Sequence, residues 1–251
     1  MKSNLLKFLS KIYRLLFFWK YPYIYSLNFD KAKIDFFITN RVDEFRIKKW
    51  GGEEGYVRYI LSKLKPHDNL YIVGASVGFT SILASSRLLR GGVIAFEPDA
   101  IVYKKFLDNI KINKIKNIKT FKYALGERRT RKKLFYVTDN NMSASMINVR
   151  NFNKSTYVLV VPMDDLVEKE KLPYPTVVKI DVEGAEMNVL KGMKNVLKSK
   201  HKPRMMFIEI HKNYLKEFNS SEVDLVKYLK KMNYELKKKI VRNQEVLCEF
   251  R

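Results

Sequence analysis

Short apolar runs separated by amphipathic stretches set the rhythm of this chain from residue 70 onward. Leu70-Tyr71-Ile72-Val73, Val93-Ile94-Ala95-Phe96, Val177–Ile180 and Met205–Ile210 have the length of strands, and their nearly unbroken apolar character suits strands covered on both faces. Between and after them lie segments with helical spacing: Ser81–Leu89, Tyr103–Ile112, Glu186–Leu197 and a helix to Met232 opened by Ser221-x-x-Asp224, an N-cap signature. Strand-helix alternation of this kind predicts a parallel sheet with helices on both faces. Ile118–Ala124 reads as a further strand, Lys133–Val137 and Thr156–Val161 as a hairpin around the polar stretch Thr138–Ser155, and Tyr234–Lys239 with Glu245–Phe250 as two closing strands. Upstream, Glu54–Leu64 reads as a helix.

The first segment has a different pattern. Across Ser3–Trp19, Lys7, Lys11 and Arg14 stand opposite Leu5, Leu6, Phe8, Leu9, Ile12, Leu15, Leu16 and Trp19, and Tyr21-Pro22-Tyr23 ends the pattern. No small-residue cleavage site follows, which argues against a signal peptide, and the charges interrupt any membrane span. Such a helix either lies on an anionic membrane surface or packs against the domain or a second subunit. The uncharged stretch Asn69–Ser86 holds Gly74, Ser76, Gly78, Thr80, Ser81, Ser85 and Ser86, so it reads as a buried strand and helix and not as a span.

With 251 residues, 46% of them hydrophobic, the chain can bury the core of one α/β domain, expected over 51–251 behind an N-terminal helical extension over 1–50. A single cysteine, Cys248, forbids an internal disulfide and suits a reducing compartment. Three histidines and that cysteine give no zinc-like cluster. The net charge of +23 is concentrated in residues 1–50, 104–133 and 198–242, away from the glycine loop and the acidic motifs described next. A basic excess suits nucleic acid, anionic lipid or an anionic substrate, and it equally suits the Lys, Ile, Asn, Phe and Tyr usage of an AT-rich genome.

Directly after the strand ending at Val73 comes Gly74-Ala75-Ser76-Val77-Gly78, and the next strand ends at Glu97-Pro98. Glycines there let the backbone approach a ligand, and an acid about 20 residues on, at the second strand's tip, can accept both ribose hydroxyls. The pattern marks an adenosine site. Its G-x-x-x-G spacing lacks the third glycine of a pyrophosphate loop, no phosphate-binding G-x-x-x-x-G-K-[ST] occurs, and S-adenosylmethionine, which carries no phosphate, suits it best.

The strand tips Gly74, Glu97, Ala124, Asp181 and His211 are expected to converge, because ligands of open α/β sheets sit outside the carboxyl ends of the strands. Asp181 opens the run Asp181-Val182-Glu183-Gly184-Ala185-Glu186 and can hold a substrate hydroxyl, act as base or ligate a divalent cation. Glu183 and Glu186 also suit the start of a helix, where the backbone dipole favours acids. His211 is a candidate base because an imidazole titrates near neutrality, and Glu209, two residues earlier, shares its face of the strand. The polar loop Asn140–Ser145 is long enough to cover a cofactor or substrate.

Together these residues resemble the FkbM family of S-adenosylmethionine-dependent methyltransferases. The matching pieces are Val73–Gly78, Phe96-Glu97-Pro98, Ala124-Leu125-Gly126, Ser143-Ala144-Ser145 and Lys179–Glu186, with coverage from about Gly52 to the C-terminus. The resemblance implies a Rossmann-like class I methyltransferase fold: a seven-stranded, mostly parallel sheet with the last strand antiparallel. It implies methyl transfer to a hydroxyl, commonly on a sugar, glycan or natural product. By motif, Gly74, Ala75, Ser76 and Gly78 would wrap the cofactor with Pro98, Ala124 and Leu125 beside it, and Glu97 would hold its ribose. Two positions depart from the family loop: Ile72 stands where an acid is usual, and Ser76 where an asparagine is.

The sequence thus reads as an O-methyltransferase on the cytoplasmic face of the membrane, acting on a glycan that is lipid-linked or free. Asp181 or His211 would take the hydroxyl proton, with Asp181 as metal ligand if a divalent cation takes part. Two alternatives are a basic RNA methyltransferase, against which the acidic Asp181–Glu186 block speaks, and a degenerate cofactor-fold module that binds a partner or membrane.

Overall fold

The computed structural model describes residues 20–136, 146, 154–242 and 245–251. The expected Ser3–Trp19 helix and the Asn140–Ser145 loop lie outside the described residues. In chain order the strands are β1 (Tyr23–Phe29), β2 (Ala32–Ile38), β3 (Asn69–Val73), β4 (Gly92–Phe96), β5 (Ile118–Phe121), β6 (Ala124–Leu125), β7 (Thr130–Tyr136), β8 (Lys154–Val161), β9 (Val177–Ile180), β10 (Met205–His211), β11 (Leu236–Arg242) and β12 (Glu245–Phe250). The helices are α1 (Arg41–Lys48), α2 (Glu54–Lys63), α3 (Phe79–Ser85), α4 (Ala100–Ile112), α5 (Met163–Lys169), α6 (Glu186–Lys191), α7 (Lys194–Lys198), α8 (Lys212–Leu215) and α9 (Glu222–Lys231).

Seven strands form one sheet in the order β11-β12-β10-β9-β3-β4-β5. β3, β4, β5, β9 and β10 run parallel, and β12 is antiparallel to both of its neighbours. The chain order reverses at β3, which pairs with β4 on one side and β9 on the other, and that switch point opens a crevice beyond the strand ends. Register aligns the tips there: Val73 pairs with both Phe96 and Ile180, so Gly74, Glu97 and Asp181 emerge side by side. Alternate strand residues face opposite ways and build two cores. Tyr71, Val73, Phe96, Val178, Ile180 and Ile208 pack on one side of the sheet, and Leu70, Ile72, Val93, Ala95 and Phe207 on the other.

The helical extension expected over 1–50 is, in its described part, a β-hairpin followed by one helix. β1 and β2 pair antiparallel from Tyr23↔Ile38 to Phe29↔Ala32, and Phe29, Ile34, Phe36 and Ile38 are buried in the core that also holds Leu70 and Ile72. The free edge of β2 is met by α4. Asn109 accepts the Phe37 N–H at 2.9 Å, and Asn113 accepts the Asp35 N–H at 2.8 Å while donating to its carbonyl at 2.6 Å. The hairpin is therefore a layer of the domain.

Element ends elsewhere shift by a few residues, and two expected elements are broken up. The strand expected over Ile118–Ala124 ends at Phe121, and Ala124-Leu125 instead pair with Val160-Val161 in a second sheet, β6-β8-β7, that contains the expected hairpin. The helix expected over Glu186–Leu197 breaks at Gly192, whose backbone lies so close to Gly126 that a Cβ would stand 2.0 Å from its carbonyl oxygen. Among the described residues no helix is long and apolar enough to cross a membrane.

Candidate active site

The glycine loop is shaped by contact with β9. Gly74 has φ +85°, and a Cβ there would lie 1.9 Å from the carbonyl oxygen of Asp181, so only glycine lets the two tips touch. Ser76, at φ +52°, turns its N–H toward Glu97 and donates to Oε2 at 2.9 Å. The Asp99 N–H donates to Oε1 at the same distance. Glu97 is thereby aimed by two backbone donors. Burial pushes its carboxyl up to about 7, against those two hydrogen bonds, which favour the charge.

A cavity of about 370 Å³ opens over these tips. Of the residues expected to hold the cofactor, Gly74, Ala75, Ser76, Glu97, Pro98, Ala124 and Leu125 line it. Gly78 is set apart from the lining. It caps α3 at φ +84°, and a Cβ there would run into the Phe106 ring, so this glycine serves helix packing. The Ser76 hydroxyl is buried in the lining without a hydrogen-bond partner among the described residues. That orphaned group, the buried acid at the second strand tip and the volume fit an adenosine cofactor.

Beside the glycine loop stands a charged cluster on β9 and β10. Lys179 and Asp181 are two apart on one strand face, and the Lys179 ammonium donates to Asp181 Oδ2 at 2.8 Å. Burial opposes charge on Lys179, but the Asp181 carboxylate beside it wins and holds it above its usual range. Burial likewise opposes charge on Asp181, and the Lys179 and His211 charges keep it ionised below its usual value. Glu209 behaves oppositely: burial and the Asp181 charge push it up to about 9, a neutral carboxylic acid at pH 7. Its Oε2 is buried without a partner among the described residues.

His211 departs from expectation. Its Nδ1 donates to Glu186 Oε1 at 2.7 Å, and its Nε2 lies 3.9 Å from Asp181 Oδ1. Burial disfavours the imidazolium, but that hydrogen bond and the charges of Glu186, Asp181 and Glu183 outweigh it and push the pKa up to about 10. At neutral pH His211 is already protonated, so the base predicted from an ordinary imidazole has no free lone pair. Glu186 is fully buried, and besides standing in the first turn of α6 it turns inward, accepting the Gly184 N–H at 3.1 Å as well as His211.

Asp181, Glu209 and His211 each bring a ligand atom within 4.8 Å of the others. This donor set does not fit a divalent cation as built. The Lys179 ammonium already stands 2.8 Å from Asp181 Oδ2 as its cation, and a metal would have to displace it together with the protons of Glu209 and His211. Sequence reasoning left Lys179 inside a motif and passed over the opposite wall, made by Val42, Phe45, Arg46, Trp50 and Glu53. The available signal for Lys179 was a lone cation within an otherwise apolar buried strand.

Comparison with known proteins matches the "Methyltransferase FkbM domain" to residues 73–236, from the glycine loop to the start of β11. The hexuronic acid methyltransferase AglP of Haloferax volcanii is 29% identical over 181 residues, 70% of each chain. Among solved structures, a candidate rRNA methylase of Clostridium thermocellum is similar with a TM-score of 0.50 at 8% identity, covering 79% of this chain and 93% of that one. TrmK of M. capricolum, solved with S-adenosylhomocysteine, has a TM-score of 0.49 at 11% identity, covering 78% and 67%.

Proposed function

From the premise that the chain belongs to the FkbM methyltransferase family and is an S-adenosylmethionine-dependent methyltransferase, we propose that it methylates a hydroxyl of a sugar, and that a hexuronic acid is the acceptor class to test first. The observation that carries this reading is the ionised Asp181 at the cavity floor, beside the neutral carboxylic acid of Glu209. The name of the H. volcanii relative supports the acceptor class.

In this reading Gly74, Ala75 and Ser76 wrap the cofactor, Glu97 accepts its ribose hydroxyls, and Pro98, Ala124 and Leu125 border it. S-adenosylmethionine, when bound, supplies an electrophilic methyl carbon. The rest is done by side chains of this chain. With the cofactor bound to supply the methyl group, Asp181 would accept the acceptor's hydroxyl proton. Lys179 keeps Asp181 anionic until that moment and supplies the positive charge that a metal would otherwise provide. Glu209 donates a hydrogen bond to a neighbouring sugar hydroxyl, since one of its carboxyl oxygens lies within 4.8 Å of one of Asp181's. His211, protonated and held by Glu186, limits the rise of negative charge around Asp181 and positions it. Holding oxygen and methyl carbon in line supplies much of the rate in such displacements.

The reading puts the enzyme in the cytoplasm, with residues 1–20 on an anionic membrane surface where a lipid-linked acceptor would lie, supported by the Lys7, Lys11 and Arg14 pattern. The test is transfer from radiolabelled S-adenosylmethionine to a panel of p-nitrophenyl glycosides. Label in the glucuronide or galacturonide at a higher kcat/KM than in neutral glycosides supports the acceptor class. Label in RNA but in no glycoside overturns it.

A further inference from the structure

Arg46 stands in the last turn of α1, half-buried, and lines the cavity opposite the strand tips. The helix that carries it is fixed. Asn40 caps it by accepting the Asp43 N–H at 2.9 Å, and Asp43, only 2% exposed, pairs with Lys105 of α4 at 2.9 Å. The acids of α1 are committed elsewhere: Asp43 to Lys105 and Thr39, Glu44 to Lys20, Lys48 and the hydroxyls of Tyr21 and Tyr23. Among the described residues no side chain forms an ion pair or hydrogen bond with the Arg46 guanidinium. Arg46 shares the cavity lining with Glu97 and Asp181, and its charge lowers the pKa of both acids. Those two acids have their own partners, in the Ser76 and Asp99 N–H groups and in Lys179.

A guanidinium fork held in a cavity wall with no counter-ion among the described residues is matched in shape and charge by a carboxylate, which it binds bidentately. We propose that Arg46 is the carboxylate-binding residue of this cavity. The inference rests on the methyltransferase reading, in which two ligands bring a carboxylate: the amino-acid tail of the cofactor and a uronic acid acceptor. Arg46 lies outside the matched segment 73–236.

The experiment compares wild type, Arg46→Ala and Arg46→Lys by calorimetry with S-adenosylhomocysteine and with 5′-methylthioadenosine, which keeps the adenosine and thioether but lacks the amino-acid carboxylate. Binding of D-glucuronate and D-glucose to the S-adenosylhomocysteine-loaded proteins is then read by saturation-transfer NMR. If Arg46 holds the cofactor tail, Arg46→Ala weakens S-adenosylhomocysteine tenfold or more, leaves 5′-methylthioadenosine unchanged, and Arg46→Lys recovers part of the loss. If it holds the acceptor, both nucleosides bind as in wild type and only the glucuronate signal is lost. A thermal melt within a degree of wild type separates either result from a structural role. Unchanged binding of all probes, or equal weakening of both nucleosides, overturns the proposal. Wild-type protein that binds neither nucleoside sinks the cofactor reading itself.

Discussion

The ammonium of Lys179 lies 2.8 Å from Oδ2 of Asp181, and both groups leave the same face of β9 at the floor of the cavity. Breaking a buried pair of this kind leaves a charge without its partner, at a cost of about 3 kcal/mol. Asp181→Asn should therefore lower both stability and turnover, the latter by roughly 10²–10⁴, the contribution of a positioned base. Cofactor affinity should be kept. The double variant Lys179→Met/Asp181→Asn should recover stability in a denaturant titration but not turnover. Because Lys179 supplies the positive charge, EDTA should leave wild-type turnover unchanged. Loss on EDTA with recovery on Mg²⁺ would return Asp181 to the role of metal ligand.

Glu186 sets the charge of His211. With the folded pKa raised to about 10 from an ordinary 6.5, the imidazolium contributes stability that is fully present below pH 6.5 and lost as pH rises through 10. Glu186→Gln removes the main partner, so the His211 pKa should fall and the alkaline loss of stability should flatten. NMR titration of the His211 ring and melting curves between pH 6 and 10 read both effects. A His211 pKa unchanged in the variant would mean that Asp181 and Glu183 alone hold the proton.

Gly74→Ala tests the contact between loop and strand tip. The new Cβ would meet the Asp181 carbonyl oxygen at 1.9 Å on a backbone at φ +85°, so the two tips must separate. The expected loss is about 3 kcal/mol or more, in the range that marks a named steric cause. Gly55, by contrast, has open space around it, and Gly55→Ala should be stabilising or neutral.

These sites differ in how far the sequence foretells them. β3, β4 and β9 are apolar runs whose hydrophobic character marks strand and burial at once, and the glycine at the tip of β3 and the acids at the tips of β4 and β9 follow from where those strands end. The β1–β2 hairpin carries its own signal, since Ile34, Phe36 and Ile38 alternate with Asp35 and Phe37 along β2. That signal is overshadowed by the helix pattern before Tyr21-Pro22 and by the basic residues around it. The protonation of His211 is not written near residue 211. It arises because α6, 25 residues upstream, turns Glu186 inward, and only the packing of α6 against β10 brings the pair together. Arg46 is similarly silent, one cation among many until α1 is placed over the cavity.

The N-terminal pattern makes a prediction about membranes. Full-length protein should bind vesicles containing anionic lipid at low salt and release them as salt rises, while a variant lacking residues 1–19 should not bind. Both should take up S-adenosylhomocysteine equally. Equal vesicle binding by the two forms would assign the basic excess of residues 104–133 and 198–242 to the membrane instead.

The cofactor site is the centre of the account, and Glu97 tests it most directly. A ribose hydroxyl donates to the ionised carboxylate, and burial places that ionisation at about 7. Calorimetric titration with S-adenosylhomocysteine should show one site whose affinity rises by about tenfold from pH 6 to pH 8. Glu97→Gln should bind without that rise, and Glu97→Ala should lose about 1–3 kcal/mol at pH 8. Affinity that is the same in wild type and Glu97→Ala, or no binding by folded wild-type protein, would contradict the account.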